Sequence, residues 1–312
     1  MKKKCLITGG AGMIGLTTAK LLHKQGFNVH IFDLGEQIAK VKNSLPKEIK
    51  IHRGSILDYK ALKLAMKKCK IVFHFAAMLG VANTENNKFS CLNINANGTT
   101  NVLKAAIANN VKRFIFASSS EVYGEPLKNP IDETNITQGK TIYGITKLIG
   151  EQYCIAFKQK YGLDYTILRF FNTYGPKQKN NFAITKFINL AKQGKTIKIN
   201  GDGNQLRSYM YVTDAAEAAA KACVSENAKN KTLNIGNGAE KISLIKLVQL
   251  ITKIIGSKKK FILDKNFRNT DRSANREIFK RYCSSKKAQN LLNWKPKIKL
   301  TKGIKLTSDK IN

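Results

Sequence analysis

The chain is short of acid. Twenty aspartates and glutamates stand against 55 lysines and arginines in 312 residues, a formal net charge of +35. Only eight of the basic residues are arginine, and the lysines are scattered; runs such as Lys2-Lys3-Lys4 and Lys258-Lys259-Lys260 stay short. Nucleic-acid binding predicts a basic stripe or face. Scattered lysine fits a compositional bias toward Lys, Ile and Asn, so no nucleic-acid partner is expected, although the charge would help draw in a diphosphate. No C-x-x-C pair occurs among Cys5, Cys69, Cys91, Cys154, Cys223 and Cys283, which points to reduced, buried thiols in a cytoplasmic protein. The four histidines and scattered aspartates show no zinc-ligand spacing, so no metal site is expected. No apolar run reaches the length of a membrane span. Three lysines ahead of an apolar stretch mimic a secretion signal, but the glycines that follow break that stretch. Internal repeats and low-complexity segments are also missing.

What is present is an ordinary globular composition, 43% hydrophobic and 24% charged, long enough for a large core. The first thirty residues organise it. Lys4-Cys5-Leu6-Ile7 reads as a buried strand that breaks at Thr8-Gly9-Gly10-Ala11-Gly12-Met13-Ile14-Gly15, with Gly9, Gly12 and Gly15 in G-x-x-G-x-x-G spacing. A periodic helix follows and stops at Gly26, and Asn28 to Phe32 reads as a second strand ending on Asp33. Glycines let the main chain turn tightly and approach a pyrophosphate, whose charge sits on free N–H groups of the helix N-terminus. A carboxylate about twenty residues on accepts hydrogen bonds from the adenosine ribose. Asp33 would repel a 2′-phosphate, and Leu34-Gly35-Glu36-Gln37 offers no cation to receive one. The expected cofactor is therefore NAD rather than NADP.

Further strands are expected at 49–52, 71–75, 114–117 and 165–168, alternating with helices at about 59–68, 95–109 and 143–161. This rhythm predicts an α/β fold with a doubly wound parallel sheet covered on both faces. Residues 78–92 read as a polar connection. Beyond residue 171 the alternation becomes irregular. The expected division is 1–171 for cofactor binding, with about 205–240 returning to it, and 172–204 plus 241–312 as a smaller substrate-binding lobe. Ser243 is expected to cap a helix that Gly256 ends.

Tyr143 and Lys147 are four apart on a predicted helix and share a face. A nearby ammonium favours phenolate, so the spacing predicts a Tyr143 pKa lowered toward neutrality, giving a general base. Tyr59/Lys63 and Tyr282/Lys286 have the same spacing. Only Tyr143 follows a hydroxyl cluster, Ser118-Ser119-Ser120-Glu121, at a strand's C-terminal end, where open parallel sheets bind their ligands. His74, inside an apolar strand, reads as scaffold.

The order TGGAGMIG, Asp33, His74-Phe-Ala-Ala, Asn95, SSSEVYG, Tyr143-x-x-x-Lys147 and RFFNTYGP resembles the extended short-chain dehydrogenase/reductase family over essentially the whole chain. More narrowly it is similar to NAD-dependent nucleotide-sugar epimerases, dehydratases and decarboxylases of Rossmann-type fold. The resemblance implies a nucleotide-diphosphate sugar substrate oxidised transiently at C4. Epimerisation is the leading expectation, with 4,6-dehydration or uronate decarboxylation as alternatives. Tyr143 would be the base, Lys147 would bind the nicotinamide ribose, and Ser119 would bind the sugar oxygen, with Ser120 beside it. Glu121 would remove a C5 proton from a keto intermediate, or else serve only to cap a turn or pair with a cation. Gly9, Gly12, Met13, Ile14, Gly15, Asp33, Ile56, Ala76, Ala77 and Asn95 match cofactor positions. Asn172 and Arg207 match diphosphate-binding groups, and Arg272 or Arg276 would supply a further basic contact. Ser55 and Ser208 depart from the family, standing where it commonly has Asp. The helices at 95–109 and 143–161 imply a homodimer. A non-catalytic sheet protein binding RNA through its lysines, or an NAD-binding regulator without turnover, are the readings of another class.

Overall fold

A computed structural model describes residues 2–258, 261–264 and 278–311. Six strands, β1 (Lys4–Thr8), β2 (Asn28–Asp33), β3 (Lys50–Arg53), β4 (Ile71–His74), β5 (Arg113–Ser119) and β6 (Asp164–Phe170), are joined by Lys231–Ile235 in one parallel sheet. Its order is Lys231–Ile235, β6, β5, β4, β1, β2, β3. The chain winds outward from β1 to β3 and then crosses to build the other half. The strand order thus reverses between β1 and β4, and that crevice is where open sheets of this kind hold their ligands.

The strands are apolar throughout because both faces are covered. Side chains alternate across a strand. Cys5, Ile7, Ile31, Phe73, Ile115 and Leu168 join one core with the Met13–Lys24 and Val212–Ala222 helices. Leu6, Phe32, Val72, Phe114, Phe116 and Ile167 join the other, beneath Tyr59–Ala65, Gly98–Ala108 and Ile142–Tyr161. Each fully buried side chain of this size contributes about 1.5–3 kcal/mol.

A further core lies outside the sheet. The helices Ala183–Lys192, Leu244–Ile255 and Leu300–Ser308 bring Ile184, Phe187, Ile188, Leu247, Val248, Ile251, Leu300 and Ile304 together around Tyr174 and Tyr211. Ser243 Oγ accepts from Lys246 N at 3.3 Å, and Gly256 closes that helix in the left-handed conformation, the two ends its sequence predicts. Within the stretch expected to return to the sheet, Lys231–Ile235 does so and Val212–Ala222 packs on Met13–Lys24. Leu206–Ser208 instead pairs with Lys241–Ser243 and Lys280–Arg281.

The polar connection expected at 78–92 is helical at Val81–Asn86 and Lys88–Leu92, running through a π-type turn, Asn93–Asn97, into Gly98–Ala108. All six cysteines are free and buried. No helix among the described residues is long and apolar enough to cross a membrane.

Candidate active site

The glycine turn is built from main chain. Gly9 N donates to Phe32 O at 2.9 Å, which docks the turn on the end of β2. A Cβ on Gly15 would lie 2.1 Å from Gly9 O, so only glycine allows the helix to start this close to the turn. Gly12 caps the helix without a side-chain bond, and the first turn carries no acid. An N-terminus left in that state suits an anion. Met13 and Ile14 pack into the core outside the sheet, and Ile14 also touches the sheet core. Asp33 accepts from Ala11 N and Leu34 N, both at 2.9 Å. Burial raises its pKa and these two amides lower it, so the carboxylate is oriented with lone pairs remaining for a ribose. Ala76 and Ala77 continue from β4 as half-buried small residues, and a Cβ on Gly9 would meet Ala76 N. These groups fit a dinucleotide's pyrophosphate and adenosine ribose. Ile56 is buried against Gly98 and contributes packing.

The second group forms where β5 ends. Ser119 caps the Ser120–Tyr123 turn, its Oγ accepting from Glu121 N at 3.2 Å. Ser120 itself is buried. The Ile142–Tyr161 helix starts at Thr141, whose Oγ1 accepts from Gly144 N at 3.0 Å. A Cβ at 144 would come within 2.7 Å of Glu121 O, so glycine there lets the helix settle on the turn. Tyr143 is thereby brought close enough to Ser119 for that hydroxyl to act on its pKa. Lys147, 4% exposed, lies with its Nζ 5.6 Å from the centre of the Tyr143 ring and donates to Ala117 O at 2.7 Å. Burial lowers its pKa to about 8.

The expected lowering of the Tyr143 pKa is not what this arrangement produces. Burial pushes it up, the Glu121 carboxylate pushes it further, and only the Ser119 hydroxyl opposes them. The Lys147 ammonium is turned to a strand carbonyl, leaving Tyr143 a phenol here. Asn95, in the π-type turn, is buried; its amide bonds Met78 N at 2.8 Å, Met78 O at 3.0 Å and Thr146 Oγ1 at 3.1 Å. It pins the chain after β4 to the helix of Tyr143. His74 sits between Thr8 Oγ1 at 2.7 Å and Thr99 Oγ1 at 2.9 Å, and burial lowers its pKa to about 3. It is a neutral scaffold residue.

After β6, Asn172 Nδ2 donates to Ser208 O at 3.3 Å. Arg207 is buried, with Nη1 donating to Leu206 O at 2.9 Å and Phe279 O at 3.3 Å. Beside Arg207 in the strand register stands Arg281. Its Nη1 meets Glu121 Oε1 at 2.7 Å, and its buried Nε has no hydrogen-bond partner among the described residues. Arg272 and Arg276 lie outside the described residues.

Residues 5–236 match the NAD dependent epimerase/dehydratase family. The chain belongs to that family. It is similar to UDP-N-acetyl-alpha-D-glucosaminuronate decarboxylase of Bacillus cytotoxicus, 35% identical across 98% of this chain and 97% of that protein. It is also similar to a putative UDP-glucose 4-epimerase of Methanocaldococcus jannaschii, 35% identical across 96% and 95%. The crystal structure of UDP-glucose 4-epimerase from Thermotoga maritima with UDP-glucose superposes with a TM-score of 0.89, at 30% identity and 98% coverage of both chains. The protein is thus an NAD-dependent enzyme of the isomerase and lyase type.

Two charged residues of this epimerase/dehydratase escaped the sequence reading. Arg281 reaches Glu121 across 160 positions, and only the pairing of Lys280–Arg281 with Leu206–Ser208 brings it there. Glu151, on the buried face of the helix that carries Tyr143 and Lys147, is held by Arg169. Its signal was available: it continues the four-residue spacing of Tyr143 and Lys147.

Proposed function

We propose that the protein oxidises a UDP-sugar transiently at C4 and, in its leading reading, returns the C4 epimer. The meeting of Ser119, Tyr143 and Lys147 at the end of β5, in the same parallel sheet whose β1 leads into the glycine turn, carries this reading. Gly9, Gly12, Gly15 and Asp33 would hold NAD, which would supply a reversible hydride acceptor for the sugar carbon. Ser119 Oγ holds the C4 oxygen. Tyr143 takes the hydroxyl proton as the ketone forms and returns it when the ketone is reduced. Lys147 anchors the nicotinamide ribose and supplies a positive charge to a phenol that its surroundings otherwise keep protonated. Reduction from the opposite face inverts C4.

A second reading is favoured by Arg281. A buried guanidinium with a spare Nε next to Glu121 suits a sugar that brings its own carboxylate. Oxidising a uronate at C4 makes a β-keto acid, which loses carbon dioxide and takes a proton at C5. Incubation with UDP-glucose, UDP-N-acetylglucosamine and UDP-glucuronate, followed by mass spectrometry, separates the outcomes. An isobaric product marks epimerisation, loss of carbon dioxide marks decarboxylation and loss of water marks dehydration. No change in any of them sinks the proposal. Tyr161, exposed at the end of the 143–161 helix, and Phe89, exposed on the Lys88–Leu92 segment that leads toward the 95–109 helix, support a homodimer, which light scattering checks. The six buried thiols support a reducing, cytoplasmic setting.

A further inference from the structure

A third charged group lies on the helix that carries Tyr143 and Lys147. Residues four apart share a helix face, so Glu151 stands one turn beyond Lys147, as Lys147 stands one turn beyond Tyr143. Its side chain is 4% exposed. Arg169 on β6 grips both oxygens, Nε to Oε1 at 2.9 Å and Nη2 to Oε2 at 2.7 Å. Ser118 Oγ on β5 also donates to Oε1. Ser118 directly follows Ala117, whose carbonyl holds the Lys147 ammonium. One carboxylate therefore ties the helix to the strand end on which Lys147 is fixed.

With both oxygens bonded, Glu151 is no proton acceptor for a sugar. We infer that it is a positioning residue for the Tyr143–Lys147 pair, fixing the helix against the end of β5 and supplying the negative charge that keeps Lys147 an ammonium. This rests on the proposed role of that pair.

The groups around Lys147 single out Glu151. Burial lowers the Lys147 pKa, and charge on Cys91, Glu151 or Cys154 would raise it. Both thiols are pushed up by their own burial. They stay neutral at working pH and exert no such charge. His74, from β4, is neutral, and Glu121, on the turn after β5, bears on Tyr143. Arg169, from β6, faces Glu151 and offsets part of its field. Glu151 is the anion left beside the buried ammonium.

The test is the pH dependence of turnover, through neutral into alkaline solution, for whichever of UDP-glucose, UDP-N-acetylglucosamine or UDP-glucuronate the wild type converts. In Glu151→Gln the alkaline limb should fall by about one pH unit, the worth of a partly screened charge one helical turn away. Glu151→Asp keeps the charge and should restore the limb. A Glu151→Gln limb superimposed on the wild type overturns the inference and leaves the functional reading intact. A wild type inert toward all three sugars sinks the functional reading instead. Calorimetric NAD binding against pH then carries the test, with the same shift expected and the same null overturning it. Should Glu151→Gln not fold, Glu151→Gln/Arg169→Gln leaves two amides able to bond each other. An unmoved limb there, or failure of both variants to fold, assigns Glu151 to the scaffold alone and overturns the inference.

Discussion

Two regions of the molecule bury a guanidinium against a carboxylate, and they are built differently. Between the helix of Tyr143 and β6, Arg169 and Glu151 are bonded through all three guanidinium nitrogens and both carboxylate oxygens. The carboxylate takes two bonds from Arg169 and one from Ser118, and Arg169 Nη1 donates onward to Tyr123 Oη at 2.8 Å. Tyr123 in turn donates to Asn234 Oδ1 at 2.7 Å, so the network crosses from β5 to Lys231–Ile235. Arg281 meets Glu121, on the turn after β5, through Nη1, and its Nε has no hydrogen-bond partner among the described residues. A buried pair stripped of one partner is costly, while a complete pair adds little over an apolar one. The pair bonded at every nitrogen and oxygen is therefore suited to holding geometry, and the pair with a spare donor to receiving a ligand.

The sharpest test of that division lies with Tyr143, the proposed base on the helix that the Arg169–Glu151 pair holds. Tyr143→Phe should cut turnover by about 10³-fold or more, since positioned proton transfer is worth about 10²–10⁴-fold. NAD should stay bound, as followed by its absorbance after desalting. Next, Arg169→Ala should cost about 3–5 kcal/mol of stability in urea denaturation, because it strands a buried carboxylate. Arg281→Ala also strands a largely buried carboxylate, but one bound through a single nitrogen, so its urea midpoint should fall less than that of Arg169→Ala. Its kcat/KM for the converted sugar should fall about 10- to 100-fold, as loss of a charged hydrogen bond implies. Equal losses of stability in the two arginine variants would erase the distinction.

The smallest effect belongs to neither pair. Burial depresses the pKa of His74 to about 3 and of His30 to about 4, against 6.5 for a free imidazole. Unfolded chains bind these protons first. The contribution is therefore complete above pH 6.5 and is lost as pH falls toward 4 and 3. His74→Asn should flatten this acid limb in a urea series while leaving the behaviour of both arginine variants in place.

The glycine turn, Asp33 and the Tyr143–Lys147 spacing were legible because each is local in the chain, and strand periodicity carried the doubly wound sheet. Arg281 was not legible. Its place depends on Lys280–Arg281 pairing with Leu206–Ser208, which no local pattern announces; the further basic contact expected from the sequence, Arg272 or Arg276, lies outside the described residues. The helices of 81–92 were read as a connection because they are short, and short helices owe their stability to packing rather than propensity. Leu300–Ser308 went unnoticed because Gly303 counts against a helix, and its apolar stripe has meaning only beside Tyr174 and Leu247. The Tyr143 pKa was misjudged from spacing alone. Four residues of separation put the ammonium near the ring, but the carbonyl of Ala117 decides where it points.

The seventh strand, Lys231–Ile235, bears on how the enzyme could be taken apart. The chain leaves the sheet after β6, builds Ala183–Lys192, Val212–Ala222 and the short strands between them, and then comes back to complete the edge. Scission of any one peptide bond between residues 171 and 230 would leave two fragments still zipped along β6 through five paired positions, Lys231 to Ile235. A protease acting on that stretch should yield a nicked enzyme that travels as one particle until denaturant parts it.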